Sequence, residues 1–245
     1  FNYYHPYWHP YYHERPVHTL QSITKSISST LIGIAIDQGL IPSTQVKVLD
    51  YFGDYDLSKV NETLKSATLE DLLTMRLGIE WHEVDRDATD PTNTTFSLEQ
   101  SEDWVQFTLD QPMDTLPGTL WNYNSGASQM MSVIIKKTTG MQLDEFAEKV
   151  LFGPLGITNY YWKHDPTGYP DALGGLYLGP EDLAKIGYLF LNEGVWEGKQ
   201  IVSKEWVSQA TARITETAFP GYGYGFQWWR PGITDSPVWS GIGFG

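Results

Sequence analysis

The residues best suited to chemistry in this chain are a serine and a lysine three positions apart, Ser22 and Lys25. They open a segment, residues 22–39, in which apolar residues recur at intervals of three and four, the period of an α-helix. Residues three apart lie on one helix face, so the hydroxyl and the amine can touch. A partly desolvated lysine has a lowered pKa and can take the proton that keeps serine a poor nucleophile. The pair therefore predicts a serine nucleophile with a lysine base.

The surroundings of this pair separate the catalytic interpretation from a simpler one. A Ser-x-x-Lys spacing also occurs by chance in surface helices, where the lysine is only a solvated charge. Here the following helix is apolar on most faces, which indicates burial, and Gly39 is a natural helix end. Ser22 is predicted in the first turn, where free N–H groups and the helix dipole favour negative charge. One helix start can thus supply the nucleophile, the base and anion stabilisation.

A second candidate group, Tyr123 and Ser125, follows the turn signal at residues 116–118 and precedes an amphipathic run at 130–139. A phenol near an ammonium group can relay a proton, so Tyr123 is a candidate acid or base. The hydroxyl of Ser125 can hydrogen-bond the lysine or a substrate. The alternative is a loop tyrosine that only anchors a turn.

A third segment, residues 238–245, alternates glycine with other residues. Glycine lets a second backbone or a ligand approach closely, so a strand edge at Gly243 and Phe244 could donate a backbone N–H to an oxyanion. The alternative is a loose tail.

In order and spacing, these three segments resemble the serine β-lactamase and penicillin-binding-protein superfamily, for which Ser-x-x-Lys is a known signature. Within it the chain is most similar to the class C-like branch with esterases and 6-aminohexanoate-dimer hydrolases. The strings that carry the resemblance are residues 22–26, 69–75, 117–118, 123–128, 151–157, 174–178 and 182–185.

The resemblance spans roughly residues 22–245 and implies an α+β (mixed α/β) fold, with an antiparallel sheet flanked by helices plus a helical lobe. The sheet lobe is expected from residues 1–40 and 165–245, and the mainly helical lobe from 41–164. The site lies between the two lobes.

Residue roles follow from the same resemblance. Ser22 attacks a carbonyl, Lys25 and Tyr123 share its proton, and the backbone N–H groups of Ser22 and Phe244 hold the oxyanion. The further residues expected to bind substrate or wall the pocket are Ser125, Gly243, Trp81, Trp228 and Trp229.

Two departures from the family pattern bear on the substrate. Class C β-lactamases carry Tyr-x-Asn, whereas this chain has Ser125 in the third position, the form of the amide-hydrolase and esterase branch. The third motif has no lysine or histidine at residues 240–245 to hold a β-lactam carboxylate. We therefore expect a serine hydrolase that acts on short esters or linear amides through an acyl-enzyme. The alternatives are a β-lactamase or D-alanyl-peptide hydrolase, and a non-catalytic binding protein on the same fold.

The composition limits the remaining possibilities. A net charge of −14 argues against nucleic-acid partners, and no apolar stretch is long enough to span a bilayer. Cysteine is absent, so there is no disulfide or thiolate chemistry, and no cofactor is expected. The chain resembles an incomplete part of a longer protein. The compartment and the oligomeric state stay open, with a periplasmic or secreted location favoured over a cytoplasmic one.

The first 18 residues raise the question of a metal site. His5, His9 and His13 are spaced by four, as metal ligands on a helix can be. Pro6 and Pro10 break the helix that would align them, and no glutamate completes a His-Glu-x-x-His pattern. We predict an extended aromatic segment that covers the core and no metal.

Along the rest of the chain, periodicity and end signals predict the secondary structure. A polar loop bordering the site is expected at 85–97. Helices are expected at 69–78, 101–110, 128–139, 143–151, 180–193 and 204–211, and strands at 222–229 and 238–244.

Overall fold

The computed structural model describes residues 17–232 and 239–243, and its central element is the predicted serine–lysine helix. This helix, α1, covers Ile23–Asp37 and is buried from its second residue almost to its end. The chain leaves it through Gly39, whose φ of 70° needs the freedom of glycine. The predicted burial is confirmed, and it includes the charged residue Lys25.

The buried polar face of α1 ties it to the segments that surround it. Ser26 Oγ donates to the carbonyl of Gln227 at 2.7 Å, and Ser29 Oγ donates to the carbonyl of Phe226 at 2.7 Å. Buried hydroxyl groups need such partners, because an unpaired polar group costs free energy. The helix is therefore held in one rotation, with its lysine on a defined side.

The second long helix, α5, covers Ser125–Thr139 and packs against α1. It begins three residues before the predicted start at 128, because Asn124 caps it by accepting from the N–H of Ala127 at 2.8 Å. Gly140 ends it with a φ of 75°. The cap places Tyr123 and Ser125 at the helix start, beside α1.

A small antiparallel sheet in the order β1-β3-β2 is hydrogen-bonded to the start of α1. Its strands are β1, His18–Thr19, β2, Tyr160–Trp162, and β3, Leu176–Leu178. The N–H of Leu20 donates to the carbonyl of Leu176 at 2.9 Å, so the chain enters α1 directly from this sheet. Strand β2 lies inside the range predicted for the helical lobe, and the division into lobes stays a prediction.

A second antiparallel sheet has the order β6-β7-β8, with β6, Thr215–Glu216, β7, Tyr222–Tyr224, and β8, Trp229–Pro231. The predicted continuous strand at 222–229 is wrong, because a turn at Gln227, with a φ of 63°, interrupts it. The strand predicted at 238–244 is reduced, among the described residues, to one bridge between Ser240 and Trp229.

The side chain of Gln227 explains why this turn is fixed. Its Nε2 donates to the carbonyls of Leu72 at 3.3 Å and Leu73 at 3.0 Å. Its Oε1 accepts from Ser128 Oγ at 2.9 Å. These long-range bonds outweigh the β propensity of the aromatic residues around the turn.

The remaining elements surround these parts. The helices are α2, Leu69–Leu73, α3, Thr94–Glu99, α4, Trp104–Leu109, α6, Leu143–Ala147, α7, Pro180–Leu191, and α8, Lys204–Ala210. A π-helical turn, Glu148–Phe152, continues α6. Two 3₁₀ turns, Val48–Tyr51 and Glu62–Ser66, and a hairpin of β4, Val195–Trp196, and β5, Lys199–Gln200, complete the set.

Helix α3 corrects the prediction of an uninterrupted polar loop at 85–97. Asn93 Oδ1 accepts from the N–H groups of Thr95 at 2.9 Å and Phe96 at 3.2 Å, which makes it an N-cap. The same Asp, Thr and Asn residues that favour loops also favour helix starts, so composition alone did not separate the two. Within the described residues, helices and small antiparallel sheets together confirm the predicted mixed fold class. None of the described helices is long and apolar enough to cross a membrane.

Candidate active site

The structure brings the predicted nucleophile and base into contact. Ser22 occupies the N-cap position of α1, directly after Gln21, whose φ of 47° is unusual for a residue with a side chain. Lys25 Nζ lies 2.9 Å from Ser22 Oγ and donates to the carbonyl of Leu173 at 2.7 Å. The lysine side chain is held by both contacts and is only 1% exposed.

Tyr123 joins this pair from the start of α5. Its phenol is buried and hydrogen-bonded to Ser22, and Lys25 Nζ lies 5.2 Å from its ring centroid. The three predicted catalytic side chains therefore converge on the oxygen of Ser22, although they come from two helices far apart in sequence.

Burial shifts the two titratable groups in opposite directions. It lowers the pKa of Lys25 from 10.5 to about 8, and the nearby carboxylates of Glu83, Asp171 and Glu99 oppose this effect. Burial, with the charge of Glu83, raises the pKa of Tyr123. Desolvation disfavours the charged form of each group, so the amine loses its proton more readily and the phenol less readily. At a mildly alkaline pH the arrangement provides a neutral amine as base and an intact phenol as proton donor.

Aromatic residues hold the ring of Tyr123 in place. Trp229 stacks on it with 5.7 Å between ring centroids, and Trp121 and Tyr224 lie 6.1 and 6.4 Å away. Offset and edge-to-face ring contacts of this kind add stability beyond simple burial. The phenol is therefore presented to Ser22 in a fixed orientation.

Ser125 makes a different contact from those predicted. Its Oγ donates to Glu83 Oε1 at 2.7 Å and its N–H donates to Glu83 Oε2 at 3.0 Å. The predicted partners were Lys25 or a substrate; the partner in the structure is Glu83, and because Ser125 lines the cavity at Ser22, its contact with a substrate stays a prediction. A carboxylate accepts such bonds strongly, which explains why it holds the serine.

Glu83 is a site residue that the sequence analysis did not predict, as are several others that line the cavity. It also accepts from Trp81 Nε1 at 3.0 Å, and it lines the same cavity as Ser22 and Lys25. The available signal was its position just before the polar segment that was expected to border the site.

Two of the three predicted tryptophan walls lie elsewhere. Trp81 is buried beside Phe107, at 6.3 Å between centroids, and its Nε1 donates to two residues that line the cavity, Glu83 at 3.0 Å and Thr95 Oγ1 at 3.2 Å. Trp228 packs on Phe190 at 4.4 Å, away from Ser22. Trp229, the first residue of β8, lines the cavity at Ser22, whereas Trp228, just before the strand, does not.

The cavity at Ser22 has a volume of about 700 Å³. Its lining includes the apolar and aromatic residues Phe219, Tyr222, Trp229 and Ile242 and the charged residues Glu83, Arg86 and Glu99. A pocket of this kind, mostly apolar with a few polar groups, is typical of small-molecule sites. A second, smaller cavity of about 390 Å³ between α1 and α7 does not contain the serine–lysine pair.

The predicted third segment runs beside the start of α1. A Cβ on Gly243 would lie 2.3 Å from the carbonyl oxygen of Leu20, so only glycine fits at this close approach. Phe244, predicted to complete the oxyanion site, lies outside the described residues, as do His5, His9 and His13. In residues 17–232 and 239–243, no group of acidic or histidine side chains could hold a metal ion.

Comparisons with known proteins agree with this geometry. The chain is 28% identical to the 6-aminohexanoate-dimer hydrolase of Paenarthrobacter ureafaciens, over 92% of the chain and 60% of that protein. It is also 28% identical to the lovastatin esterase of Penicillium rubens, over 71% of the chain and 46% of the esterase. The chain thus spans about half to three fifths of the length of these curated relatives.

Solved structures share the fold. A Bacillus anthracis structure described as a candidate 6-aminohexanoate-dimer hydrolase superposes with a TM-score of 0.81 at 22% identity, over 98% of this chain and 65% of that one. A D-stereospecific amidohydrolase from Streptomyces gives a TM-score of 0.68 at 19% identity, over 91% of this chain and 68% of that one. The family model described as Beta-lactamase matches residues 8–245, and the chain belongs to this family.

Proposed function

We propose that this chain carries the catalytic centre of a serine hydrolase that works through an acyl-enzyme. The observation that supports the proposal is the buried contact of 2.9 Å between Lys25 Nζ and Ser22 Oγ, with Tyr123 bonded to the same serine. A nucleophile within hydrogen-bond reach of a base that is itself oriented by a third group is the general signature of nucleophilic catalysis.

In the first half-reaction, Ser22 Oγ forms a bond to the substrate carbonyl carbon while its proton passes to neutral Lys25. The bond to the leaving group then breaks, and Tyr123 supplies the proton that the leaving group needs. The proton held by Lys25 returns to the phenolate, so both groups regain their starting states. General acid–base steps of this kind typically contribute about 10²–10⁴-fold each.

In the second half-reaction, water attacks the acyl group and loses its proton to Lys25. The bond between the acyl carbon and Ser22 Oγ breaks, the acid leaves, and Lys25 reprotonates the serine. The N–H of Ser22 at the start of α1 is the proposed first oxyanion donor, and that of Phe244 stays a prediction. A single donor of this type is worth about 3–4 kcal/mol in other enzymes.

The proposed substrates are short esters or linear amides. The names of the relatives point to both bond types, an amide in 6-aminohexanoate-dimer hydrolase and an ester in lovastatin esterase. The apolar wall of Phe219, Tyr222 and Trp229 suits an uncharged acyl chain. The third motif lacks a cation for a β-lactam carboxylate, so β-lactamase or D-alanyl-peptide hydrolase activity is the second candidate.

Covalent labelling tests the proposal against a non-catalytic binding protein. A serine-directed phosphonate should add one adduct to the folded chain, and peptide mapping should place it on Ser22. Ser26 is the internal control, because it lies one helical turn away but its hydroxyl is bonded to the carbonyl of Gln227. Absence of an adduct, or an adduct at another serine, would reject the proposed centre.

A further inference from the structure

Asp171 is a buried carboxylate that shapes the contact between Lys25 and its second partner. Its side chain is 6% exposed, and its Oδ1 accepts from the N–H groups of Leu173 at 2.9 Å and Gly174 at 2.8 Å. A carboxylate that bonds the backbone two and three residues on closes a tight turn. This turn presents the Leu173 carbonyl, which accepts from Lys25 Nζ at 2.7 Å.

Further contacts leave this turn little freedom. The N–H of Gly175 donates to the Asp171 carbonyl at 3.2 Å, and Trp162 Nε1 donates to the same oxygen at 2.8 Å. A Cβ on Gly175 would lie 2.5 Å from Asp171 Cβ and 2.8 Å from its Cγ, so the carboxylate packs directly on the glycine. The position of the Leu173 carbonyl is therefore set by the Asp171 carboxylate, and this carboxylate fits only because residue 175 is a glycine without a side chain.

The charge of Asp171 also acts on Lys25. The carboxylates that act on the amine are Glu83, Asp171 and Glu99, and all three raise the lysine pKa against the effect of burial. Burial raises the pKa of Asp171 itself, and Lys25 and Lys163 oppose that shift. A neutral asparagine could make the same turn, whereas a buried charge adds desolvation cost that the two backbone N–H bonds and the nearby lysines offset.

We propose that Asp171 is a positioning residue for the general base: it fixes the Leu173 carbonyl that accepts from Lys25, and it supplies a buried negative charge that acts on the amine. The inference rests on the proposed role of Lys25. A base is most effective when its pKa lies near the working pH. A lysine buried without this charge would be a weaker base, so Asp171 maintains the basicity that burial removes.

The test compares Asp171→Asn with Asp171→Ala in the pH dependence of kcat/KM for a p-nitrophenyl ester. In the wild-type chain kcat/KM should rise as Lys25 loses its proton. Asparagine keeps the turn acceptor but loses the charge, so the midpoint of this rise should move to lower pH by about half a unit or more. Alanine removes both the turn acceptor and the charge. The Leu173 carbonyl and Lys25 should then be displaced, so the maximal rate should also fall, by about tenfold or more.

Asp165→Asn is the matched control. Asp165 is buried in the same loop at 5% exposure, but it bonds Gln129, Thr167 and Tyr169 and is not among the charges acting on Lys25. This variant should leave the midpoint unchanged, with folding checked by urea denaturation.

An Asp171→Asn midpoint equal to wild type, or an equal shift in Asp165→Asn, would overturn the inference. If the asparagine variant fails to fold, Asp171→Ser offers a second uncharged turn acceptor with the same expected shift. A wild-type profile without any rise would instead reject Lys25 as the base, which separates failure of the proposed function from failure of this inference.

Discussion

At the scale of single residues, burial shifts the pKa values of Lys25 and Tyr123 in opposite directions, which supports the separate roles proposed for them. The sequence predicted that the two share a proton, and the structure lowers the pKa of Lys25 to about 8 while raising that of Tyr123. Both shifts have one main cause, the removal of water from a charged form. The types and spacing of Ser22 and Lys25 were enough to predict the pair, whereas the direction of proton transfer required the surroundings.

Replacement of Lys25 tests the base directly. Lys25→Arg should be nearly as damaging as Lys25→Ala in kcat/KM, because a guanidinium group stays protonated and cannot accept a proton. Steady-state kinetics on a p-nitrophenyl ester give the comparison, and the same change at an exposed lysine, Lys163→Arg, is the control. An active arginine variant would contradict a lysine base.

Replacement of Tyr123 tests the proton donor. Tyr123→Phe keeps the ring that stacks on Trp229 and removes the phenolic proton. We expect kcat/KM to fall at least about tenfold more for an alkyl amide than for a p-nitrophenyl ester, since p-nitrophenolate leaves without protonation. Equal losses on the two substrates would assign Tyr123 another role.

The buried lysine also makes stability depend on pH. Below about pH 8, Lys25 is protonated in both the folded and the unfolded chain, and the folded chain bears the cost of a buried charge. As the pH rises from about 8 to 10.5, the pKa of lysine in the unfolded chain, the folded chain loses this proton first and the cost disappears. The unfolding free energy of the wild-type chain should therefore rise across this range, relative to Lys25→Met, by up to about 3 kcal/mol. Parallel urea denaturation curves at both pH values measure the difference. A constant gap between the two proteins would show that the pKa of Lys25 is not lowered.

At the scale of elements, the start of α5 depends on a residue that the sequence pattern did not reveal. Hydrophobic periodicity and caps predicted α1, α5 and α7, since these signals are local. Glu83, by contrast, meets Ser125 from a segment far away in sequence, and no local pattern encodes that pairing. The broken strand at Gln227 has the same cause, because its side-chain bonds are all long-range.

A double-mutant cycle measures the connection between Glu83 and α5. Glu83→Gln and Ser125→Ala each remove part of the contact of 2.7 Å, so their effects on unfolding free energy should be non-additive by about 1 kcal/mol or more. The control pairs Glu83→Gln with Ser132→Ala, a buried serine further along α5, and should be additive. Additivity in the first cycle would show that the bond does not couple the segments.

At the scale of the whole molecule, the family and the mixed fold class were predictable because several weak motifs occur in the right order. Which tryptophans line the cavity and which are packed in the core was not predictable from the sequence. Trp229 lines the cavity, whereas Trp81 and Trp228 are packed in the core, and composition does not distinguish a wall from a core residue. Only the alternation of neighbouring strand residues hinted that Trp228 and Trp229 differ.

The cavity as a whole leads to a prediction about substrates. A missing charge-assisted hydrogen bond to a β-lactam carboxylate costs about 1.5–3 kcal/mol, and a short uncharged ester does not need that bond. We expect kcat/KM for p-nitrophenyl esters of short acyl chains to exceed that for a chromogenic cephalosporin by about two decades. Equal or faster cephalosporin turnover would favour the β-lactamase alternative.

The measurement that tests the central claim most directly is the turnover of Ser22→Ala. Hydrolysis of a p-nitrophenyl ester by this variant should fall by several decades, as in other enzymes that lose their nucleophile. The unfolding free energy should change by no more than about 1 kcal/mol, because the Ser22 hydroxyl makes no capping hydrogen bond at the start of α1. A folded Ser22→Ala variant that hydrolyses the ester at the wild-type rate would contradict the assignment of Ser22 as nucleophile.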